Sequence, residues 1–521
     1  MKIDIRKFFY KHLEIFVLLL TAIISVSAMI FYYTNNLTLE YNDATSHLNI
    51  ARRITDSLTP GLVQIGSNWL PLLHLLELPF TLNFSLWQSG LAGSIISMMS
   101  FLFSSLAIFK IVEQITRDKL SGFIGALVFI LNANILYMQT TAMFEPLLIA
   151  TSMGGIYYLI KWSQEQKLSQ LLFGAFFIFL SSLTRYDGWF LFLCSIPVVF
   201  LISIRKRNYK YAEGRTIMFM VLSSLGIVLW FIYNKIIFGS ATYFMSSEFS
   251  ARGQQVIWEE LGKLPAKGSI FLAFWTYIRT VIYNTGFLPF LLSILGLISF
   301  FFTKRSIVMK ISFVLLLFIP LIFHVISLYI GHSIIWLPDV APYDSSFFNV
   351  RYGLVMVPTI AILIGVLTMN KKYLKFVIIL LVLLQSILFY FDNNGQLNIK
   401  NITVMKDTKA GNSESGNKTA QWIRNNCKDG LTLISSAGYE AVIFRTGLSL
   451  NHFITEGTGK YWRTSLIKPS TYAECIMLGS SWLNKINVSM ENNIDFDRNY
   501  KKVESFGSFQ MFKRNNLIYE K

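Results

Sequence analysis

Charge is what this sequence has least of. Only 14% of its 521 residues are Asp, Glu, Lys or Arg, against roughly 25% in an ordinary soluble domain. That excludes a water-soluble globular protein of this length. Cysteine is nearly absent, at three residues. Cys194, Cys427 and Cys475 form no CxxC and no Cys/His spacing of a metal site. Cys194 falls inside an apolar block, as inert packing. Cys427 and Cys475 either pair, should the tail lie outside the cell, or remain free thiols. There is no GxSxG nucleophile elbow, no HExxH and no histidine cluster. The run Glu456-Gly457-Thr458-Gly459-Lys460 lacks the Walker spacing, because Ile454 stands where the first glycine belongs, so it reads as a turn. No internal repeat is visible, which argues against a transporter built from two matching halves.

What the sequence has is apolar residues, 53% of the chain, gathered in blocks. Residues 15–30 and 376–390 hold no charge at all. A helix crossing a bilayer needs about 20 such residues. Helical spans are expected at 13–33, 86–111, 120–137, 144–162, 170–184, 188–204, 216–236, 284–302, 309–330, 353–369 and 375–391. The expected fold is an all-α polytopic membrane protein of about 11 transmembrane helices, with a small C-terminal α/β extracytoplasmic domain.

The net charge of +17 is distributed as orientation signals rather than as a nucleic-acid stripe. Lys2, Arg6, Lys7 and Lys11 precede the first block, which is too long for a signal peptide and has no small-residue cleavage site. With the N-terminus inside, the cytoplasmic loops carry Arg117 and Lys119; Lys161 and Lys167; Arg205, Lys206, Arg207 and Lys210; Lys304, Arg305 and Lys310; and Lys371, Lys372 and Lys375. The alternate loops are longer and chemically richer. The chain divides into a multi-pass domain at 1–395, with a first external loop at 34–85, and an external domain at 396–521. In the tail, residues 407–419 read as a linker, 419–425 and 439–445 as helices, and 431–435, 474–478 and 508–512 as strands.

Charges near membrane depth cost several kcal/mol unless paired or functional, so those at the outer edge carry the functional argument. In the first external loop, Ala44, Leu48 and Ala51 share a face at helical spacing, with Asp43 and His47 on the neighbouring face. This predicts a short helix lying on the membrane surface. Asp43 alone reads equally as a cap or solvated acid. His47 reads as surface decoration, a substrate contact or a metal ligand. Glu145 opens the fourth span, Arg185 and Asp187 join the fifth to the sixth, and Arg351 and Tyr352 open the tenth. A carboxylate can act as base on an acceptor hydroxyl. Arginines can hold a phosphate through paired hydrogen bonds and stabilise it as a leaving group.

These residues resemble the GT-C superfamily of polyprenyl-phosphate-sugar glycosyltransferases, in particular the protein O-mannosyltransferases and lipid A aminoarabinose transferases. The family's first external loop carries an acid and, six residues on, a segment like Glu-Ile-Ala-Arg. Here Asp43 is followed at that spacing by Asn49-Ile50-Ala51-Arg52. The resemblance implies that Asp43 is the catalytic base. It also implies that Glu145 is the second acid of the site, with acceptor or metal contacts, and that Arg351-Tyr352, followed by Pro358, holds the carrier phosphate. It covers about residues 10–370. Where family members have Lys-Pro-Pro, this chain reads Asn68-Trp69-Leu70-Pro71-Leu72-Leu73-His74. The basic residue is missing, so phosphate binding falls to His74, Arg52, Arg53 or Arg185. Trp69 is either a platform for a sugar ring or an interface aromatic. The Trp-Trp-Asp motif of oligosaccharyltransferases is absent, which argues against transfer of whole glycans to asparagine.

The expectation is an inverting transferase that moves a sugar from a polyprenyl-phosphate donor to a protein, lipid or wall-polymer acceptor. A divalent metal held by Asp43, His47 and Glu145 is a further reading, left open. The partners are that donor, the acceptor and membrane lipid, without nucleic acid. The rivals are a flippase for a lipid-linked sugar, which would need polar mid-membrane helices that the apolar spans do not offer, and a noncatalytic scaffold.

Overall fold

The computed structural model describes residues 10, 12–247, 250–340, 346–392, 394–410, 413–480 and 485–515. Lys2, Arg6, Lys7 and Lys11, the expected N-terminal orientation signal, lie outside the described residues. The chain forms two compact units. One comprises Met1–Leu37, Ser67–Leu72 and Ile95–Asp407; the other comprises Thr38–Gly66, Leu73–Ser94 and Thr408–Lys521.

The first unit is helical. Leu13–Thr34, Leu91–Thr116, Asp187–Lys206, Tyr209–Phe238 and Val350–Leu367 are each long and apolar enough to cross a bilayer. Among the described residues two bent pairs bring the number to up to seven if each is one span: Ile270–Thr285 with Phe287–Phe301, turning by 110°, and Ile307–Leu317 with Ile319–Tyr329, turning by 52°. The protein is therefore a multi-pass membrane protein, and the expected count of about eleven spans is not reached by length and apolarity. Single blocks of sequence break into pieces. The block at 120–137 becomes Lys119–Ile130 and Ala133–Met138, because the Asn132 side chain caps a new helix by accepting from the amide of Ile135. The block at 284–302 opens at Gly286, whose φ of +87° suits glycine alone.

Close packing holds this bundle. A Cβ on Gly296 would sit 2.1 Å from the Leu363 carbonyl oxygen, so only glycine lets Phe287–Phe301 approach Val357–Leu367 this closely. All eleven residues of Val357–Leu367 are buried. At the basic-loop end, Lys375 pairs with Asp118, and Arg305 donates to the carbonyls of Gln114 and Ile115. Loops far apart in sequence thus meet at one end of the bundle.

The second unit contains a five-stranded sheet in the order β2-β1-β3-β5-β4. Its strands are β1 Leu431–Leu433, β2 Phe453–Ile454, β3 Ala473–Leu478, β4 Tyr500–Phe506 and β5 Phe509–Arg514. β1 pairs in parallel with β2 and β3; β3–β5 and β4–β5 are antiparallel. The helices Glu440–Thr446 and Lys460–Ile467 make the crossovers. Leu433, Ile454, Trp462 and Ile476 form the core. Cys427, after helix Glu414–Asn426, is joined by a disulfide to Cys475 of β3. The Glu456–Thr458 run is a turn of 3-10 helix, as its spacing predicted.

The sheet and its crossovers hold the helix Asn42–Arg53 and the segment around Trp87. The helix Asn42–Arg53 packs on Glu440–Thr446, and Trp87 meets Phe444 edge to face at 5.3 Å. The expected surface helix is corrected here: it forms, but every residue from Ala44 to Ala51 is buried. Its polar face is covered by protein that supplies partners, so it does not present that face to water.

Candidate functional site

In the second unit the helix Asn42–Arg53 is favoured by Asp43 in its first turn and Arg52 and Arg53 in its last, each complementing the helix dipole. The N-cap is Tyr41, so Asp43 is not the cap; it is half-buried one residue inside the helix. His47 is 1% exposed, and its Nδ1 lies 3.2 Å from Nε2 of His74. Burial first, and then the neighbouring His47 and Arg53, hold His74 well below the usual histidine range. A neutral His74, its ring tilted 43° to that of His47, contributes no positive charge to an anion site.

The two arginines of this helix are both engaged. Arg52 donates from Nε to Asp56 Oδ2 at 2.7 Å and from Nη1 to the Thr81 carbonyl at 2.8 Å, with its guanidinium 4.6 Å from the Trp87 ring. Arg53 Nη1 lies 2.6 Å from Glu440 Oε1, and Asn49 Nδ2 donates to the other oxygen of Glu440 at 2.7 Å. Burial raises the Glu440 pKa, opposed by Arg53 and Asn49. Glu77, on the helix Leu72–Thr81, is completely buried, and among the described residues neither carboxylate oxygen has a hydrogen-bond partner. Burial alone pushes it well above the usual carboxylate range.

The first unit holds a denser cluster. Glu145 starts the helix Phe144–Glu165 and is 1% exposed. Its Oε1 accepts from Arg185 Nη1 at 2.8 Å and lies 3.3 Å from Arg351 Nε. Arg185 Nε also donates to Asp187 Oδ2 at 3.3 Å, and Arg351 Nη1 stands 4.0 Å from Asp407 Oδ2. The Tyr352 ring lies 4.8 Å from the guanidinium of Arg185 and 5.4 Å from that of Arg351. Behind it, the His324 ring stacks between Tyr277 and Tyr352 at 4.8 and 5.3 Å, with Nε2 3.2 Å from Asp187 Oδ1. Asp407 also accepts from the backbone amide of Asn349 at 2.9 Å, which ties the turn before Arg351 to the end of this unit.

Glu145, Arg185, Arg351 and Tyr352, drawn from three segments of sequence, thus meet. Asp43, His47, His74, Arg52 and Arg53 belong to the other unit. Trp69 lies half-buried between Gly66 and the helix Leu72–Thr81. Sequence reasoning missed His324 and Asp407, because a lone histidine in an apolar helix and an acid opening a polar stretch carry no local signal. It also missed Glu77 and Glu440. Among the described residues no three His, Cys, Asp or Glu side chains converge as a metal site requires. Two guanidiniums on one buried oxygen, backed by two further carboxylates and an aromatic ring, make a preorganised seat for an oxyanion.

No protein-family model matches the chain, and no curated protein matches it by sequence. Solved structures do. ArnT from Cupriavidus metallidurans bound to undecaprenyl phosphate superposes with a TM-score of 0.59 at 11% identity, covering 95% of this chain and 98% of that one. The same protein in the apo state gives 0.59 at 12%, covering 94% and 97%. The archaeal oligosaccharyltransferase AglB from Archaeoglobus fulgidus, in complex with an inhibitory peptide and a dolichol-phosphate, gives 0.54 at 11%, covering 98% and 75%. At these identities the likeness is one of fold alone.

Proposed function

We propose that this protein is a membrane glycosyltransferase that moves a sugar from a polyprenyl-phosphate carrier to an acceptor on the outer face of the membrane. The observation that carries the reading is the shared grip of Arg185 and Arg351 on one buried carboxylate oxygen. The fold recurs in proteins whose structures hold undecaprenyl phosphate and dolichol-phosphate. In this reading Asp43 takes the proton of an acceptor hydroxyl. The hydroxyl oxygen bonds to the anomeric carbon, the bond from that carbon to the phosphate oxygen breaks, and the lipid phosphate leaves with both electrons. Arg185 and Arg351 stabilise the charge it gains. One base and no covalent nucleophile give inversion of the anomeric centre. Arg52 and Arg53 hold the Asp43 helix in place. The full set of about eleven spans, an inside N-terminus and an outside tail complete the proposal; the Cys427–Cys475 disulfide supports the tail's exposure to an oxidising compartment.

The test uses purified protein in lipid with a panel of radiolabelled polyprenyl-phosphate sugars. Wild type releases label from the carrier and Asp43→Asn does not. Equal turnover by the variant removes Asp43 from the mechanism. A donor that crosses the bilayer uncleaved turns the reading to a flippase.

A further inference from the structure

The two arginines are not free to receive a phosphate in this structure, because Glu145 already stands between them. Its Oε1 is shared by Arg185 and Arg351. Its Oε2 has no hydrogen-bond partner among the described residues, and the side chain borders a narrow, mostly apolar cavity walled by Phe101, Phe129, Met138 and Ile149. Each arginine also has a carboxylate of its own, Asp187 for Arg185 and Asp407 for Arg351, and both lie against the Tyr352 ring. Without Glu145, Arg185 keeps its hydrogen bond to Asp187, and Arg351 keeps an ion pair with Asp407 at 4.0 Å.

We infer that Glu145 is an internal substitute for the phosphate monoester: it occupies the oxyanion seat between Arg185 and Arg351 and is displaced when the carrier's phosphate binds, while Asp187 and Asp407 act as positioning residues that keep the arginines in place. The inference rests on the proposed phosphate role of the two arginines and extends it to the acids around them. Its physical basis is charge. Two buried guanidiniums without a nearby anion would be costly, so the resting site must contain one. The polyprenyl phosphate released from the donor is a monoester dianion with more charge and more acceptor oxygens than a carboxylate, so it wins the pair.

The consequence is that two acids on the same guanidinium have opposite effects on phosphate binding. Binding of undecaprenyl phosphate to the protein in nanodiscs tests this, with undecaprenol to isolate the lipid tail and inorganic phosphate to isolate the free anion. Glu145→Gln removes the competitor and is expected to bind undecaprenyl phosphate roughly tenfold more tightly, since a charge-assisted contact no longer has to be broken. Asp187→Asn unmoors Arg185 and is expected to bind it more weakly. Simple removal of negative charge would tighten both, and a merely structural role would weaken both, so either same-sign result overturns the inference. Arg351→Gln is expected to abolish the difference between undecaprenyl phosphate and undecaprenol. If it does not, the phosphate reading itself falls, whatever Glu145 does. Tightening seen with inorganic phosphate as well means that the seat reads the phosphate alone; tightening confined to the lipid means that it reads the monoester. A measurement on the wild type stands independently of variant folding: carbodiimide modification of Glu145, followed by mass spectrometry, is expected to speed up when undecaprenyl phosphate binds. Unchanged or slower modification overturns the exchange.

Discussion

Arg53 reaches from the last turn of the Asp43 helix to Glu440, the first residue of a helix in the C-terminal tail, at 2.6 Å. Asn49, one turn earlier on the same helix, takes the other oxygen of that carboxylate. The grip lies beyond the carboxyl ends of β1 and β2, where Gln64 and Thr59 also donate to the Gly457 carbonyl. That crevice is where parallel sheets commonly bind ligands; here it holds the helix Asn42–Arg53 and the turn after it.

Truncating Glu440 should therefore cost more than a surface ion pair would. Glu440→Ala leaves Arg53 buried without its counter-charge, and breaking a buried pair costs about 3–5 kcal/mol. The expected result is a clear fall in the melting temperature of purified protein. Adding Arg53→Met should recover part of it, because the double variant leaves no charge stranded. A single variant as stable as wild type would show that the pair holds nothing.

Glu77 predicts the reverse sign. It is buried without a hydrogen-bond partner among the described residues, on a ten-residue helix too short to cross a bilayer. Burial raises its folded pKa well above the ordinary value of 4.5. The folded protein then keeps a proton that the unfolded chain has lost. Its contribution to stability is complete below the unfolded pKa and drains away as pH rises towards the folded one. Glu77→Gln, already neutral, should remove that slope and match or exceed wild-type stability at neutral pH. Thermal melts from pH 4 upward would check it; a variant less stable at every pH would show that the carboxyl has an essential partner.

The membrane class was legible because lipid demands long apolar blocks. The breaks within spans were not, since nothing in the sequence around Gly286 separates a glycine that turns at a φ of +87° from one that continues a helix. In the tail, β1, β3 and β5 were readable from their apolar runs. β2 is two residues long, and β4, Tyr500–Phe506, is almost wholly exposed and mixes charges, so neither carries a strand signal. In the candidate site, Glu145, Arg185, Asp187 and Arg351 were legible because charge stands out at the ends of apolar blocks. Their convergence on one oxygen was not, because it is set by tertiary packing. Asp407 was expected in a linker and instead holds the turn before Arg351.

The disulfide gives a prediction about the tail alone. Cys427 and Cys475 are separated by 48 residues, and a link closing a loop of that order is worth about 2–4 kcal/mol. Cys427→Ser, or reductant on the wild type, should lower the unfolding temperature and speed proteolysis between helix Glu414–Asn426 and β3. Reductant should have no effect on the variant. Equal proteolysis in all three samples would mean that the sheet is held without the bond.

Arg185 provides the strictest test of how the oxyanion seat is built. Its guanidinium spans Glu145 and Asp187 from two different nitrogens while lying over the Tyr352 ring. A lysine keeps the charge but presents one ammonium, which cannot face two acids in fixed directions or stack on an aromatic face as a guanidinium does. If the seat worked by charge alone, Arg185→Lys would bind a polyprenyl phosphate nearly as well as wild type. If it works by geometry, the loss should approach that of Arg185→Gln, on the order of tenfold to a hundredfold for one or two charge-assisted hydrogen bonds. Titrating both variants with undecaprenyl phosphate at two salt concentrations separates the cases. A lysine variant that binds well at low salt and fails at high salt is held by charge, while one that fails at both has lost the fork on which the seat depends.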